Sequence, residues 1–227
     1  APRACIFRAV AGGLDFGKAD AAVEADGTDG GAEGSATSVA GLASSGTGCV
    51  DTAGARGNGG DGAYPEQVKP VVDLIQFTKD LPRYKNLYQI ARIMRALIME
   101  RITDLYGDCP YFEAGMGYYD KTFFPKYDKQ QDIYTDLLKE IEDATGKLDP
   151  NGDQPTGDVF YNGNIAQWQR FGNTLLLRVA MRLVKVDPTT AQTYAQKAAG
   201  HTMSGNGDNA FVMGDPTGGR VTTNRNS

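Results

Sequence analysis

Between Tyr84 and Leu105 apolar side chains return every three or four residues. Leu87, Ile90, Met94, Leu97, Arg101 and Leu105 form one row, with Ala91, Ile98 and Ile102 beside it. That spacing predicts an amphipathic helix with a wide buried face, and Gly107 stands where such a helix stops. A shorter pattern before it, Glu66 to Lys79, predicts a helix with Pro70 in its first turns and Val71, Leu74, Ile75 and Phe77 as apolar positions, broken by Asp80-Leu81-Pro82. A third helix is predicted after Asp128, read as its N-cap with Gln131 completing a capping box. Ile133, Leu137, Ile141, Ala144 and Leu148 face inward there, while Asp132, Asp136, Lys139, Asp143 and Lys147 face water. Asn164 and Gln167 make a second capping box before the longest helix, Ile165 to Val186. Its seam is Ile165, Trp168, Gly172, Leu175, Val179, Leu183 and Val186, with Arg170, Arg178 and Arg182 off the seam. Asp187-Pro188 ends it and opens a short Ala-rich helix, Thr189 to Ala199. Only Asn209 to Met213 resembles a strand. The pattern predicts an all-α fold, incomplete at both ends.

Composition divides the chain of 227 residues unevenly. Residues 1–63 are mostly Gly, Ala, Ser, Thr and Asp, with Phe7 and Phe16 as the only aromatics. Such a stretch buries too little apolar surface to offset its ordering entropy. It reads as a low-complexity region ahead of a helical domain over 64–227. Its Gly-Asp pairs fit neither the EF-hand nor the nonapeptide calcium pattern. The formal net charge of −5 and the lack of any Lys/Arg run exclude a nucleic-acid footprint. No segment has the apolar length of a membrane-spanning helix, and no signal peptide is recognisable.

The chemistry of catalysis is sparse. The only histidine, His201, follows Gly200 in a stretch read as flexible, so neither a Ser-His-Asp nor a Cys-His arrangement is supported. Cys5, Cys49 and Cys109 have no metal-ligand spacing, and Cys109 reads as a small half-buried residue beside Pro110. No cofactor or metal is expected. Glu100, Asp104, Asp108 and Glu113 are the carboxylates whose placement invites pairing. An α-helical glycoside hydrolase would use Asp104 or Asp108 with Glu113. Acids at a helix C-terminal end oppose the macrodipole, so bonds to turn amides or to an Arg are the stronger reading.

Binding is better served. Tyr111, Phe112, Tyr118, Tyr119, Phe123, Phe124 and Tyr127 crowd a predicted loop over 110–127. Sugar rings present C–H faces that pack on aromatic faces, and Tyr hydroxyls add hydrogen bonds. Tyr118, Tyr119, Phe123 and Phe124 are the candidate ligand contacts. Most of the seven rings are expected to fold inward, leaving two or three exposed. Trp168, at a helical seam position, reads as core.

Two long signatures carry a family resemblance. One runs Ile102-Thr103-Asp104-Leu105-Tyr106-Gly107-Asp108-Cys109-Pro110-Tyr111-Phe112-Glu113-Ala114 and continues at Pro125-Lys126-Tyr127-Asp128-Lys129-Gln130-Gln131. The other runs Trp168-Gln169-Arg170-Phe171-Gly172-Asn173-Thr174-Leu175-Leu176-Leu177-Arg178-Val179-Ala180-Met181-Arg182. From about Tyr64 onward the chain resembles the SusD/RagB family of nutrient-binding outer-membrane lipoproteins of Bacteroidetes. The resemblance implies a scaffold of tetratricopeptide-like helix pairs and non-catalytic binding of oligosaccharide or another nutrient. It also implies a partner, a TonB-dependent (SusC-like) outer-membrane transporter, and a place on the cell surface held by a lipid anchor. No lipidation signal is found in this chain, which reads as an internal piece of a larger protein. Within the signatures Asp104, Tyr106, Gly107, Asp108, Pro110, Tyr111, Trp168, Arg178 and Arg182 read as architectural, forming helix ends, a core indole and Arg-carboxylate pairs. A tetratricopeptide-like protein-interaction module is the remaining alternative.

Overall fold

The computed structural model describes residues 63–212. The low-complexity reading of residues 1–62, with Cys5 and Cys49, and the strand end at Met213 lie outside the described residues.

Five helices carry the fold: α1 (Lys69–Thr78), α2 (Lys85–Tyr106), α3 (Gln130–Gly146), α4 (Ile165–Arg182) and α5 (Pro188–Ala198). A wider-wound turn, Ala63–Val68, feeds α1. Pro70 has no N–H for the i→i−4 ladder, so the irregular winding falls just before it. Each helix packs on the next in the sequence, and α2 also touches α4. This is the stacking of tetratricopeptide-like helix pairs. Among the described residues there is no strand, and 209–212 are irregular, contrary to the sequence expectation.

The core runs through Ile90, Ile93 and Met99 of α2, Ile133, Leu137 and Ile141 of α3, and Trp168 and Val179 of α4. The predicted row on α2 holds as far as Leu97. Arg101 and Leu105 are exposed, and burial passes to Met99, Glu100, Ile102 and Thr103, on the side that meets α3 and α4. Phe77, in the last turn of α1, is also exposed, its ring 6.2 Å from that of Tyr84. Val186 is exposed for a clearer reason. Helix α4 ends at Arg182, and Val186 and Asp187 both donate to the Leu183 carbonyl, so the chain has left the helical register before the predicted seam ends.

Long-range caps set the helix ends. The Asp153 carboxylate, far along the chain in a polar loop, accepts from the Asn86 and Leu87 amides at 2.7 and 3.2 Å and closes the start of α2. The buried Asn86 side chain donates to the Asp149 and Asp153 carbonyls and accepts from the Asp149 amide. The box before α4 is half formed. Asn164 accepts from the Gln167 amide, but the Gln167 side chain donates to the Gly207 carbonyl instead of returning. Asp187 caps α5 by accepting from the Thr190 amide, with Pro188 in the first helical position.

The stretch after Gly200, read as flexible, is tied along α4. Tyr161 donates to the Asp208 carbonyl, Arg170 pairs with the Asp208 carboxylate at 2.7 Å, and the Met203 amide donates to Thr174. Trp168 is fully buried, and its indole N–H donates to Asp158 at 2.6 Å. Phe160, Tyr161 and Phe171 surround it with tilted or edge-on rings.

Two Arg clusters hold the helices to one another. Arg92 on α2 bridges Glu140 and Asp143 of α3, so Asp143 is shared with Arg92 and Lys147 and makes no pair with Lys139. Arg178 on α4 reaches the fully buried Glu100 of α2 at 3.0 Å. Arg182 reaches Asp104 at 2.8 Å, and the Tyr134 hydroxyl of α3 donates to the same Asp104.

At the α3–α4 crossing a Cβ on Gly172 would lie 2.1 Å from Thr145 Oγ1. That hydroxyl is buried and has no hydrogen-bond partner. Gly172→Ala is therefore expected to lower stability by about 1–2 kcal/mol, the overlap outweighing the roughly 1 kcal/mol that Ala gains over Gly in a helix. In a Thr145→Ala chain, where the residue's Cβ at 3.1 Å is the close contact that remains, most of that loss is expected to disappear. Urea denaturation of the four proteins in this cycle reads the difference.

A candidate ligand surface on the aromatic segment

The surface begins where α2 ends. Gly107, at φ +72°, takes a conformation open to glycine, and its amide donates to the Thr103 carbonyl at 2.8 Å. The chain then leaves the bundle and returns at α3, and a clasp joins the two crossings. Cys109 and Asp128 exchange both backbone hydrogen bonds, at 3.3 and 3.1 Å. Cys109 is fully buried within this clasp, not half-buried as its sequence context implied.

Asp128 is not the N-cap of α3. Its Oδ2 turns back to accept from the Tyr111 and Phe112 amides at 3.0 and 2.9 Å. The cap comes from Asp108, whose carboxylate accepts from the Gln130 amide at 2.9 Å across the clasp. The two carboxylates have thus exchanged the roles that local spacing assigns them. The antiparallel pairing of 109 with 128 holds the two crossings side by side, so each acid meets amides of the other crossing. Gln130 completes the link by donating to the Thr103 carbonyl.

Tyr111 anchors the base of the segment. Its ring is fully buried under the Arg95 guanidinium, 4.6 Å from the ring centre. Its hydroxyl donates to Asp136 at 2.7 Å, so Asp136 is partnered inward as well as facing water. Burial, with Asp136 beside it, pushes this phenol well above the usual range. Arg95 also donates to the Tyr111 carbonyl, and Tyr64 donates to that of Pro110. Further out, the segment rests on α1. A Cβ on Gly115 would lie 3.0 Å from Val72, Gln76 donates to the Met116 sulfur, and Tyr119 donates to Asp73 at 3.1 Å.

With its backbone held this way, the segment turns its rings outward. Phe112, Tyr118, Tyr119, Phe123, Phe124 and Tyr127 are all exposed, and Tyr111 is the one ring of the seven that folds in. This corrects the expectation that most would be buried. Polar contacts and the buried Cys109, Tyr111 and Ala114 hold the segment, so the other rings are not needed as a core. Tyr118 and Phe124 stand furthest out, at 82 % and 84 % exposure. Tyr118 packs edge-on against Tyr119 at 5.3 Å.

The four candidate contacts are not equivalent. Tyr118, Phe123 and Phe124 offer open faces. The Tyr119 hydroxyl is committed to Asp73, and burial followed by that acid pushes its pKa up to about 12, so it remains a donor at neutral pH. Burial also raises the Asp73 carboxyl. Phe112 and Tyr127 are exposed rings in the same segment that the sequence did not select, since ring identity alone does not say which side faces out.

Each of the four carboxylates whose placement invited pairing has a partner in the scaffold. Glu100 pairs with Arg178, Asp104 with Arg182 and Tyr134, Asp108 with the Gln130 amide, and Glu113 with the Lys126 amide at 3.1 Å. Among the described residues no group of three or more His, Cys, Asp or Glu is placed to hold a metal ion, and no helix is long and apolar enough to cross a membrane.

Comparison with known proteins places this geometry. A SusD-like family described as starch-binding and associating with the outer membrane matches residues 58–225. A solved chitin-binding protein is 40 % identical with a TM-score of 0.60, over 65 % of this chain and 32 % of its own. A SusD-like protein of Bacteroidetes AC2a is 36 % identical with a TM-score of 0.60, over 70 % of this chain and 30 % of its own. A chitin-binding SusD homolog from Flavobacterium johnsoniae is 32 % identical with a TM-score of 0.55, over 63 % of this chain and 30 % of its own. The chain thus spans about a third of the length of these structures. No curated protein matches it. With the matched family covering most of its length, the chain belongs to the SusD-like family.

Proposed function

We propose that this chain is part of a surface glycan-binding protein that captures oligosaccharide without chemistry, on the ridge formed by Tyr118, Phe123 and Phe124. The observation that carries the reading is the outward presentation of six rings by a segment whose own base is held by polar contacts and by the buried Cys109, Tyr111 and Ala114. Exposed rings in such a cluster mark an interaction surface. Their faces match the C–H faces of pyranose rings, as in stacking on other apolar planes. The chitin-binding names of two similar structures support a carbohydrate ligand. A TonB-dependent, SusC-like outer-membrane transporter is the proposed partner, and the cell surface the proposed location, by membership of the family. The partnering of all four candidate acids supports binding over hydrolysis.

Calorimetric titration with chito- and malto-oligosaccharides tests this. Tyr118→Ala and Phe124→Ala are each expected to weaken binding about tenfold, near 1.4 kcal/mol, with the melting temperature unchanged. Full affinity in the double variant, or turnover of any glycan abolished by Asp108→Asn, would overturn the reading.

A further inference from the structure

We propose that a polar cleft elsewhere in the chain is a second carbohydrate subsite, one that holds a single neutral sugar unit by hydrogen bonds alone. The cleft, about 680 Å³, lies between the C-terminal end of α3, the first half of α4, and the turn that follows α5. Its size suits a small ligand. No residue of the aromatic segment lines it, so its ligand class rests on the carbohydrate reading above while its residues do not.

The lining chemistry selects the ligand. Gln169 and Asn173 lie one turn apart on α4 and both face the cleft. Each side-chain NH2 uses one of its two N–H groups, on the Leu148 and Gln169 carbonyls at 2.9 Å each. The second N–H and the amide oxygen of each have no hydrogen-bond partner among the described residues. The His201 ring and the Thr202 hydroxyl line the same cleft, and among the described residues neither makes a side-chain hydrogen bond. Side-chain amides, a hydroxyl and an imidazole lining one cleft supply the mixed donors and acceptors that the hydroxyls of a pyranose use.

Charge argues against an anion. Lys197 at the rim is paired with Glu142 at 2.7 Å, and Arg170 with Asp208 at 2.7 Å, so both cations are already answered. No aromatic side chain other than His201 lines the cleft, so stacking does not contribute. A neutral, hydroxyl-rich unit is what remains. The subsite would grip a sugar by its edges, where the ridge grips by the face.

Because His201 is the only histidine in the chain, its ring protons give one isolated NMR signal inside the cleft. The full chain is titrated with maltotriose or with tri-N-acetylchitotriose. A saturable shift of that signal is expected with at least one of them. It is expected to persist in a Tyr118→Ala/Phe124→Ala chain, where the ridge is disabled. Asn173→Ala and Thr202→Val are each expected to weaken it about fivefold, the worth of one hydrogen bond near 1 kcal/mol. Unchanged emission from the single, buried Trp168 confirms that these variants fold. A signal that never moves with either sugar, or a shift indifferent to Asn173→Ala and Thr202→Val, overturns the subsite and leaves the ridge standing. A shift lost with the ridge variants alone also overturns it. A cleft shift without any ridge-dependent binding sinks the ridge instead.

Discussion

Arg178→Ala is expected to destabilise the chain by about 3 kcal/mol, and Glu100→Gln in the same chain to restore most of that loss. Glu100 has no exposed surface, and among the described residues Arg178 makes its only side-chain hydrogen bond, at 3.0 Å; Arg182 Nε lies 3.8 Å from the other oxygen, which has no hydrogen-bond partner there. Removing the guanidinium leaves a buried charge with only the more distant Arg182 beside it, which is costlier than the net worth of the pair. Neutralising the acid removes that charge but keeps its shape. Burial already holds the Glu100 carboxyl above the usual range, with Arg178 pulling the other way and Asp104 adding to the rise. A carboxyl whose folded pKa is raised contributes stability at low pH and loses it as pH rises through that folded value. Without Arg178 the folded value rises further. The deficit of Arg178→Ala relative to the parent should therefore be largest at about pH 7 and shrink by about pH 5, while the rescued double variant should show no such trend. Urea midpoints at the two pH values measure it, and a deficit that grows on acidification would refute the charge explanation.

Asp128→Ala carries the second large effect, expected at about 3 kcal/mol with loss of oligosaccharide binding although every ridge ring is still present. Asp128 is buried and its carboxylate satisfies two amides at the root of the aromatic segment. Charge-assisted bonds of this kind are the strong ones, and their loss leaves the Tyr111 and Phe112 amides unpaired. Asp108→Ala should be milder, about 1 kcal/mol, because the Gln130 amide it caps opens to water at an exposed helix start. Thermal unfolding ranks the two, and equal effects would show that the carboxylates do not play the unequal parts drawn here. Were Asp128 the N-cap of α3, its substitution would cost only the cap and leave the ridge competent.

The periodic residues made the helices legible. Rows such as Ile133, Leu137 and Ile141 are buried as their spacing implies, and the Pro188 start and Trp168 core position follow from local rules. Where the readings failed, a distant partner decided the outcome. Asp128 and Gln131 satisfy a local capping pattern, yet the pairing of 109 with 128 hands the cap to Asp108. Asp153 reads as a loop residue and closes α2 across 67 positions. Gln167 completes its box on paper but bonds to Gly207. At the ligand surface, composition located the aromatic segment but not its facing. Which rings point outward depends on the polar anchors beneath them, Asp73, Arg95 and Asp136, and these lie on other helices.

Intermolecular contacts between sugar C–H protons and the rings of Tyr118, Phe123 and Phe124, read by nuclear Overhauser spectroscopy on the chain with labelled Phe and Tyr, test the central claim most directly. The account predicts contacts from a bound chito- or malto-oligosaccharide to those three rings and none to the buried Tyr111. A bound oligosaccharide that touches none of the three would contradict it.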